Sequence, residues 1–309
     1  MPYRIDTDED LRDGVRRCAR EQLDRAIDAL TERISEDPVE AVHDARKALK
    51  QERSQLRLAR GTIDRVDRQR ENAALRRAGQ QLSAARDAEV MLQALDQLAE
   101  RFTGRLPQAT FAAIRHQLES DRDIARRRLL VSKVPEAVAD ELRAVRARVD
   151  DWVLRRDGWK ALEPGLDRGY RRGRRAFARA QAKPTVERLH EWRKRTKDLW
   201  YHLRVLKPLA PAIIGGYADE AHALSDLLGD DHDLALLRKA VTAGSHELPV
   251  EVDGVIELID HRREQLQAQA MQVGERVYAE RPKTFVRRIR LYWKASRASP
   301  MPPPVALHS

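Results

Sequence analysis

The chain has 309 residues, 42% of them hydrophobic and 5% aromatic, with 59 basic against 49 acidic residues and a formal net charge of +10. No run of about 18 uncharged apolar residues occurs, which excludes a membrane-spanning helix. The single cysteine, Cys18, excludes an internal disulfide and a thiolate zinc cluster.

The first residues, Met-Pro-Tyr-Arg-Ile-Asp, lack the apolar core of a signal peptide, so a soluble cytoplasmic protein is expected. Ala, Leu, Arg, Glu and Gln dominate and no segment alternates with period two, which predicts an all-α fold. In the first half the pattern predicts helices over 7–35, 38–60, 64–100 and 108–130, with a linking helix over 135–155. Asp37 reads as an N-cap with Pro38 at the first helical position, and Gly61 closes that helix. In the second half helices are predicted over 164–181, 185–207, 212–241 and 251–278, then 283–297, with boundaries at Lys183-Pro184, Lys207-Pro208 and Arg281-Pro282. The proline-rich stretch 298–309 has no pattern and is expected to be a disordered tail.

The two halves repeat. Laying His43 on His190 brings Arg46 onto Arg193, Lys47 onto Lys194, Lys50 onto Lys197 and Arg57 onto Arg204. Upstream, Leu11-Arg12-Asp13-Gly14 with Arg17 and Arg20 matches Leu166-Asp167-Arg168-Gly169 with Arg172 and Arg175. Downstream, Leu82-Ser83-Ala84-Ala85-Arg86-Asp87 matches Leu228-Gly229-Asp230-Asp231-His232-Asp233. A tandem duplication of one helical unit follows, 7–150 and 151–297, with its seam near 150–162 and two up-and-down bundles facing each other.

Arginine makes up 48 of the 59 basic residues. Its planar fork suits phosphate oxygens and points to a polyanion, although a GC-rich genome produces the same bias. On a helical wheel Arg46, Lys47, Lys50, Arg53 and Arg57 fall within about 120° around His43, beside an apolar stripe of Val42, Ala45, Leu49 and Leu56. Asp44, Ala48, Gln51, Glu52 and Gln55 are expected to face outward. Arg193, Lys194, Lys197 and Arg204 repeat the arc around His190, with Glu191, Arg195, Asp198 and His202 expected outside. A solvated face with snorkelling stems is one explanation of such a stripe. A site for a multivalent anion is the other, favoured because the stripe borders the core, occurs twice and repels itself. The histidines read as metal ligands, core residues or phosphate ligands; no second ligand shares the arc, and the phosphate reading suits their position best.

Catalytic signatures are few. No phosphate-binding loop, dinucleotide fingerprint or nucleophile elbow occurs. Cys18 reads as a buried inert thiol. Asp87 and Asp233 read as structural carboxylates, and a metal phosphohydrolase built on Asp230, Asp231, His232 and Asp233 is a weak alternative. A nucleic-acid-binding protein explains the charge too, but offers few aromatic platforms.

A histidine followed by Arg-Lys and a further basic residue, duplicated and each time trailed by a Leu-Gly-like segment, resembles the CHAD domain, the conserved histidine α-helical domain. The resemblance covers about 7–297. It implies two pseudo-symmetric four-helix units around a basic central cavity, non-enzymatic binding of inorganic polyphosphate with phosphate or sulfate able to occupy the same site, and association with polyphosphate granules. No cofactor or metal is implied. Carried over by residue, the ligand positions are His43, Arg46, Lys47, Lys50, Arg53, Arg57, His190, Arg193, Lys194, Lys197 and Arg204, with Arg17, Arg20, Arg86, Arg172 and Arg175 as secondary ones. Trp200 stands where Arg53 does in the first copy and Ser83 where Gly229 does in the second, so full symmetry is not expected. The E-x-E-x-K signature of the triphosphate-tunnel domain often joined to this family is absent.

Overall fold

The computed structural model describes residues 3–6, 8–244 and 252–298, with 84–86 described by backbone alone. The tail expected beyond Ala298 lies outside the described residues. The described chain forms eleven α-helices: α1 Leu11–Thr31, α2 Pro38–Leu58, α3 Arg65–Gln81, α4 Ser83–Arg101, α5 Gln108–Val131, α6 Val134–Ala147, α7 Trp159–Ala182, α8 Val186–Leu206, α9 Pro211–Gly244, α10 Asp253–Val277 and α11 Pro282–Ala298. The helix starts are chemically marked. Asp10, Asp37, Asp64 and Thr185 accept backbone N–H groups of the first turns of α1, α2, α3 and α8, and Pro38 sits directly after its cap.

Two expectations are corrected. The single helix predicted over 64–100 is two, because Leu82 leaves the helical track (φ −89°, ψ 8°) and the Ser83 hydroxyl donates to the Gln80 carbonyl. The matching segment of the second half, through Leu228-Gly229, stays inside one 34-residue helix. Pro164, read as the start of a helix, lies inside α7, which begins five residues earlier at Trp159.

One hydrophobic cluster runs from Tyr3 to Trp293 and joins both halves. A second binds α4 and α5 to the C-terminal part of α9 and the N-terminal part of α10, through Leu95, Leu98, Ile114, Leu237 and Val255. Helices α2 and α8 sit in the middle of the larger cluster. Their contacts advance together: Lys50 acts electrostatically on His190, Arg53 on Arg195, and Ser54 and Arg57 bond to Asp198. The two helices therefore run side by side in the same direction. Among the described residues no helix is long and apolar enough to cross a membrane.

Helix α7 crosses the end of α2 at van der Waals distance from its backbone. A Cβ on Gly165 would lie 1.8 Å from the Leu58 carbonyl oxygen, and one on Gly61 2.4 Å from the Ala161 carbonyl oxygen. Backbone cannot yield as a side chain does, so Gly165→Ala should destabilise the fold by about 3 kcal/mol or more. Gly216→Ala, in open space on α9, should instead add about 0.5–1 kcal/mol. Thermal unfolding of the two variants checks both signs, and equal effects would refute the backbone contact.

Candidate anion-binding site

The close approach of α7 to α2 opens, one helical turn further along, into a cavity of about 630 Å³. Its walls come from four helices. Arg53 and Arg57 of α2 are joined by Arg60 just beyond it, by Arg65, Arg68 and Arg76 of α3, by Arg168 and Arg172 of α7, and by Arg195 of α8. Nine arginines thus face one lining carboxylate, Asp198, which is 5% exposed. Arg57 bonds one Asp198 oxygen at 2.5 Å and Arg195 the other at 2.9 Å. Glu191 stands at the rim, 3.0 Å from Arg195 and 3.6 Å from Arg172.

The electrostatics are those of an uncompensated cluster. Burial, reinforced by Arg57, pushes the Arg53 guanidinium down to about 10. Burial and then Arg168 lower Arg60 and Arg68, and burial and then Arg195 lower Arg172. Burial works to raise Asp198, but Arg57 and Arg195 outweigh it and hold the carboxyl below its usual range. The Nε groups of Arg57 and Arg68 are buried without a hydrogen-bond partner. A ligand with several negative charges would relieve the mutual repulsion and satisfy these donors together.

Of the walls on α3 and α7, Arg172 is the one residue among the sequence candidates, yet both faces carry a helical spacing. On α3, Arg65, Arg68, Gln69, Asn72 and Arg76 recur at i, i+3, i+4, i+7 and i+11, the spacing of one helical face. On α7, Gly165, Arg168, Gly169 and Arg172 do the same. Gly169 leaves room for the buried His202, whose Cε1 would be 2.9 Å from a Cβ there.

The outward faces drawn on the wheel are corrected. Gln51, Glu52 and Gln55 are each 1% exposed, covered by the N-terminal segment and α1: Tyr3 donates to the Gln51 carbonyl, and Gln55 donates to the Val15 carbonyl. His202 is also 1% exposed, its Nε2–H donating to the Ser54 carbonyl, and Arg195 lines the cavity with its side chain only 14% exposed. A wheel knows one core direction, whereas α2 and α8 are each packed on several sides.

Of the sequence candidates, three reach the cavity and the others lie elsewhere, with Arg193, Lys194 and Lys50 near His190. Arg53, Arg57 and Arg172 reach the cavity. Arg46 donates to the Gly79 carbonyl at 2.8 Å, His43 is half-buried, and Lys47 and Lys50 are exposed. His190 stacks on His232 of α9, Arg193 lies 3.4 Å from a Cβ placed on Gly229, Lys194 is exposed and Lys197 half-exposed. Arg204 sits over the Trp200 ring at 5.4 Å. Arg17 is engaged by Glu9 and Glu21, and Arg20 by Asp150. Arg175 is exposed away from the cavity, and the Arg86 side chain lies outside the described residues.

Cys18 is buried, donates to the Arg4 carbonyl, and is pushed up to about 12 by burial, as an inert thiol should be. Asp231 is held by Arg263 and Gln267. Asp230 and Asp233 line a separate cavity with Arg101 and Arg262 between α4, α9 and α10. Among the described residues no three His, Cys, Asp or Glu side chains are arranged to hold a metal.

The CHAD domain family model matches residues 17–242. Among solved structures, PptA from Streptomyces chartreusis aligns with a TM-score of 0.59 at 14% identity, covering 93% of this chain and 100% of that one. The CHAD domain from the plant Ricinus communis aligns with a TM-score of 0.58 at 21% identity, covering 96% and 97%. No curated protein matches the chain by sequence. The shared feature at these identities is the all-helical fold.

Proposed function

The chain belongs to the CHAD domain family, and from that premise we propose that it is a non-enzymatic receptor for inorganic polyphosphate, held in the arginine-lined cavity between α2, α3, α7 and α8. The observation that carries this reading is the nine-to-one excess of arginine over carboxylate around one concave space. Each internal phosphate of the polymer brings about one negative charge and two acceptor oxygens, so successive units meet successive guanidinium forks. Binding releases condensed counterions from the polymer, and the affinity should fall steeply with salt, as it does for proteins on nucleic acids. Association with polyphosphate granules in the cytoplasm is the cellular setting this reading supplies.

Titration with long-chain polyphosphate at several salt concentrations tests the proposal. The expected result is a linear fall of log affinity with log salt, with a slope corresponding to several displaced counterions. An equal phosphate concentration of DNA or RNA should fail to displace the polymer, because a duplex about 20 Å wide cannot enter the cavity and single strands would want stacking platforms. Displacement by nucleic acid would exchange the two readings.

A further inference from the structure

A second basic cluster lies at the other end of α8. The imidazoles of His190 on α8 and His232 on α9 stack with centroids 4.2 Å apart and planes 28° from parallel. The Nδ1 atoms of both rings and the Nε of Arg193 are buried without hydrogen-bond partners. We propose that this stacked pair is a proton-coupled anion seat, in which a phosphate group of the bound chain is taken up together with a proton on the imidazole pair. The inference rests on the polyphosphate reading and adds a regulation to it.

The surroundings give the reason. Arg193 and Lys194 come from α8 itself, Lys50 from α2, and Arg263 from α10. The opposing charges are Glu191 on α8, Asp231, already engaged by Arg263, and Asp230 and Asp233, which flank His232 in sequence and line the neighbouring cavity. Burial first, then Lys194 and Arg193, push His190 down to about 4; burial first, then His190 and next Arg193, push His232 down to about 3. Two imidazolium rings stacked at this distance repel one another, and burial with the surrounding cations disfavours even one, so the empty pair is neutral near pH 7. An oxyanion placed against it reverses the sum of local charge and offers an acceptor to a ring N–H. The anion-bound pair must then hold a proton at higher pH than the empty pair, and by linkage lower pH must tighten the anion.

Two measurements test this. Long-chain polyphosphate is titrated at pH 5.5 and 7.5, a range in which its internal phosphates keep their charge. Wild type should bind about tenfold tighter at pH 5.5, and His232→Gln and the His190→Gln/His232→Gln pair should lose most of that ratio. In parallel, the histidine C2–H resonances are followed through pH with and without sulfate, which does not titrate here; the midpoints of His190 and His232 should rise with sulfate. An equal pH ratio in wild type and variants, or a midpoint change confined to His202, overturns the proposal while leaving polyphosphate binding standing. Failure of polyphosphate to bind at any pH defeats the functional reading instead, and the sulfate measurement still decides the seat.

Discussion

Replacing Arg53 and Arg68 together by glutamate should abolish polyphosphate binding at physiological salt, a loss of at least 100-fold, or about 2.7 kcal/mol. The two residues line the cavity from α2 and α3, and each reversal swaps a cation for an anion. Nine arginines against one carboxylate become seven against three. A single reversal should cost about tenfold, because the chain keeps its remaining contacts and the effective concentration they provide. The folded state should not suffer, since Arg53 and Arg68 are held against burial and their own neighbours. Arg290→Glu, exposed on α11, should bind within about twofold of wild type. Lys50→Glu with Lys197→Glu is the informative contrast: neither residue lines the cavity, and only a partial loss is expected, through Lys50 beside the His190–His232 pair. If that pair abolished binding while Arg53→Glu/Arg68→Glu did not, the site would be the helical arc read from the sequence and not the cavity. Calorimetric titration of the four proteins separates these outcomes.

The helices were legible because capping residues and prolines mark their ends and the apolar positions keep a 3.6 period; Asp37-Pro38 is the plainest instance. The family was legible in the spacing around His43 and His190. The site was legible only in part. Arg53 and Arg57 were found because they continue the stripe from His43. Arg195 was assigned to solvent because one wheel cannot show that α8 is contacted by α7, α9 and α2 at once. Arg65, Arg68 and Arg76 sit on one face of α3, but nothing local says that this face looks at α7 across a gap. That fact belongs to the crossing at Gly61 and Gly165, where missing side chains let backbones touch. His232 belongs to the weak phosphohydrolase alternative with Asp230, Asp231 and Asp233; its stacking partner is His190, 42 positions earlier, and only the packing of α9 on α8 brings them together.

A buried carboxyl on the same helix as the cavity arginines sets the second large effect. Glu52 is 1% exposed, and both its carboxyl oxygens are buried without hydrogen-bond partners. Burial, and then the charge of Glu71, push it up to about 8. Glu71 itself is taken by Arg148 and Arg70. In the unfolded chain Glu52 releases its proton near the ordinary value of 4.5. Between that value and about 8 the folded state holds more protons than the unfolded one, so stability must fall as pH rises through the window. The slope approaches about 1.4 kcal/mol per pH unit. The buried histidines act in the opposite sense. His202 and His190 are pushed down to about 4, so they favour the folded state more as pH rises toward 6.5 and contribute no slope beyond it. From pH 6.5 to 8 the Glu52 effect therefore stands alone among these groups. Glu52→Gln should leave stability at pH 5 nearly unchanged and raise it at pH 8 by about 3 kcal/mol, flattening the alkaline limb of a urea-unfolding series. An alkaline slope that persists in Glu52→Gln would mean that Glu52 is already ionised in the folded protein. The neutral state also matters for binding. Glu52 is the immediate neighbour of Arg53, and an ionised carboxylate there would offset part of the positive potential at the cavity wall. Held protonated under α1, it leaves the arginines of α2 uncompensated and open to an external anion.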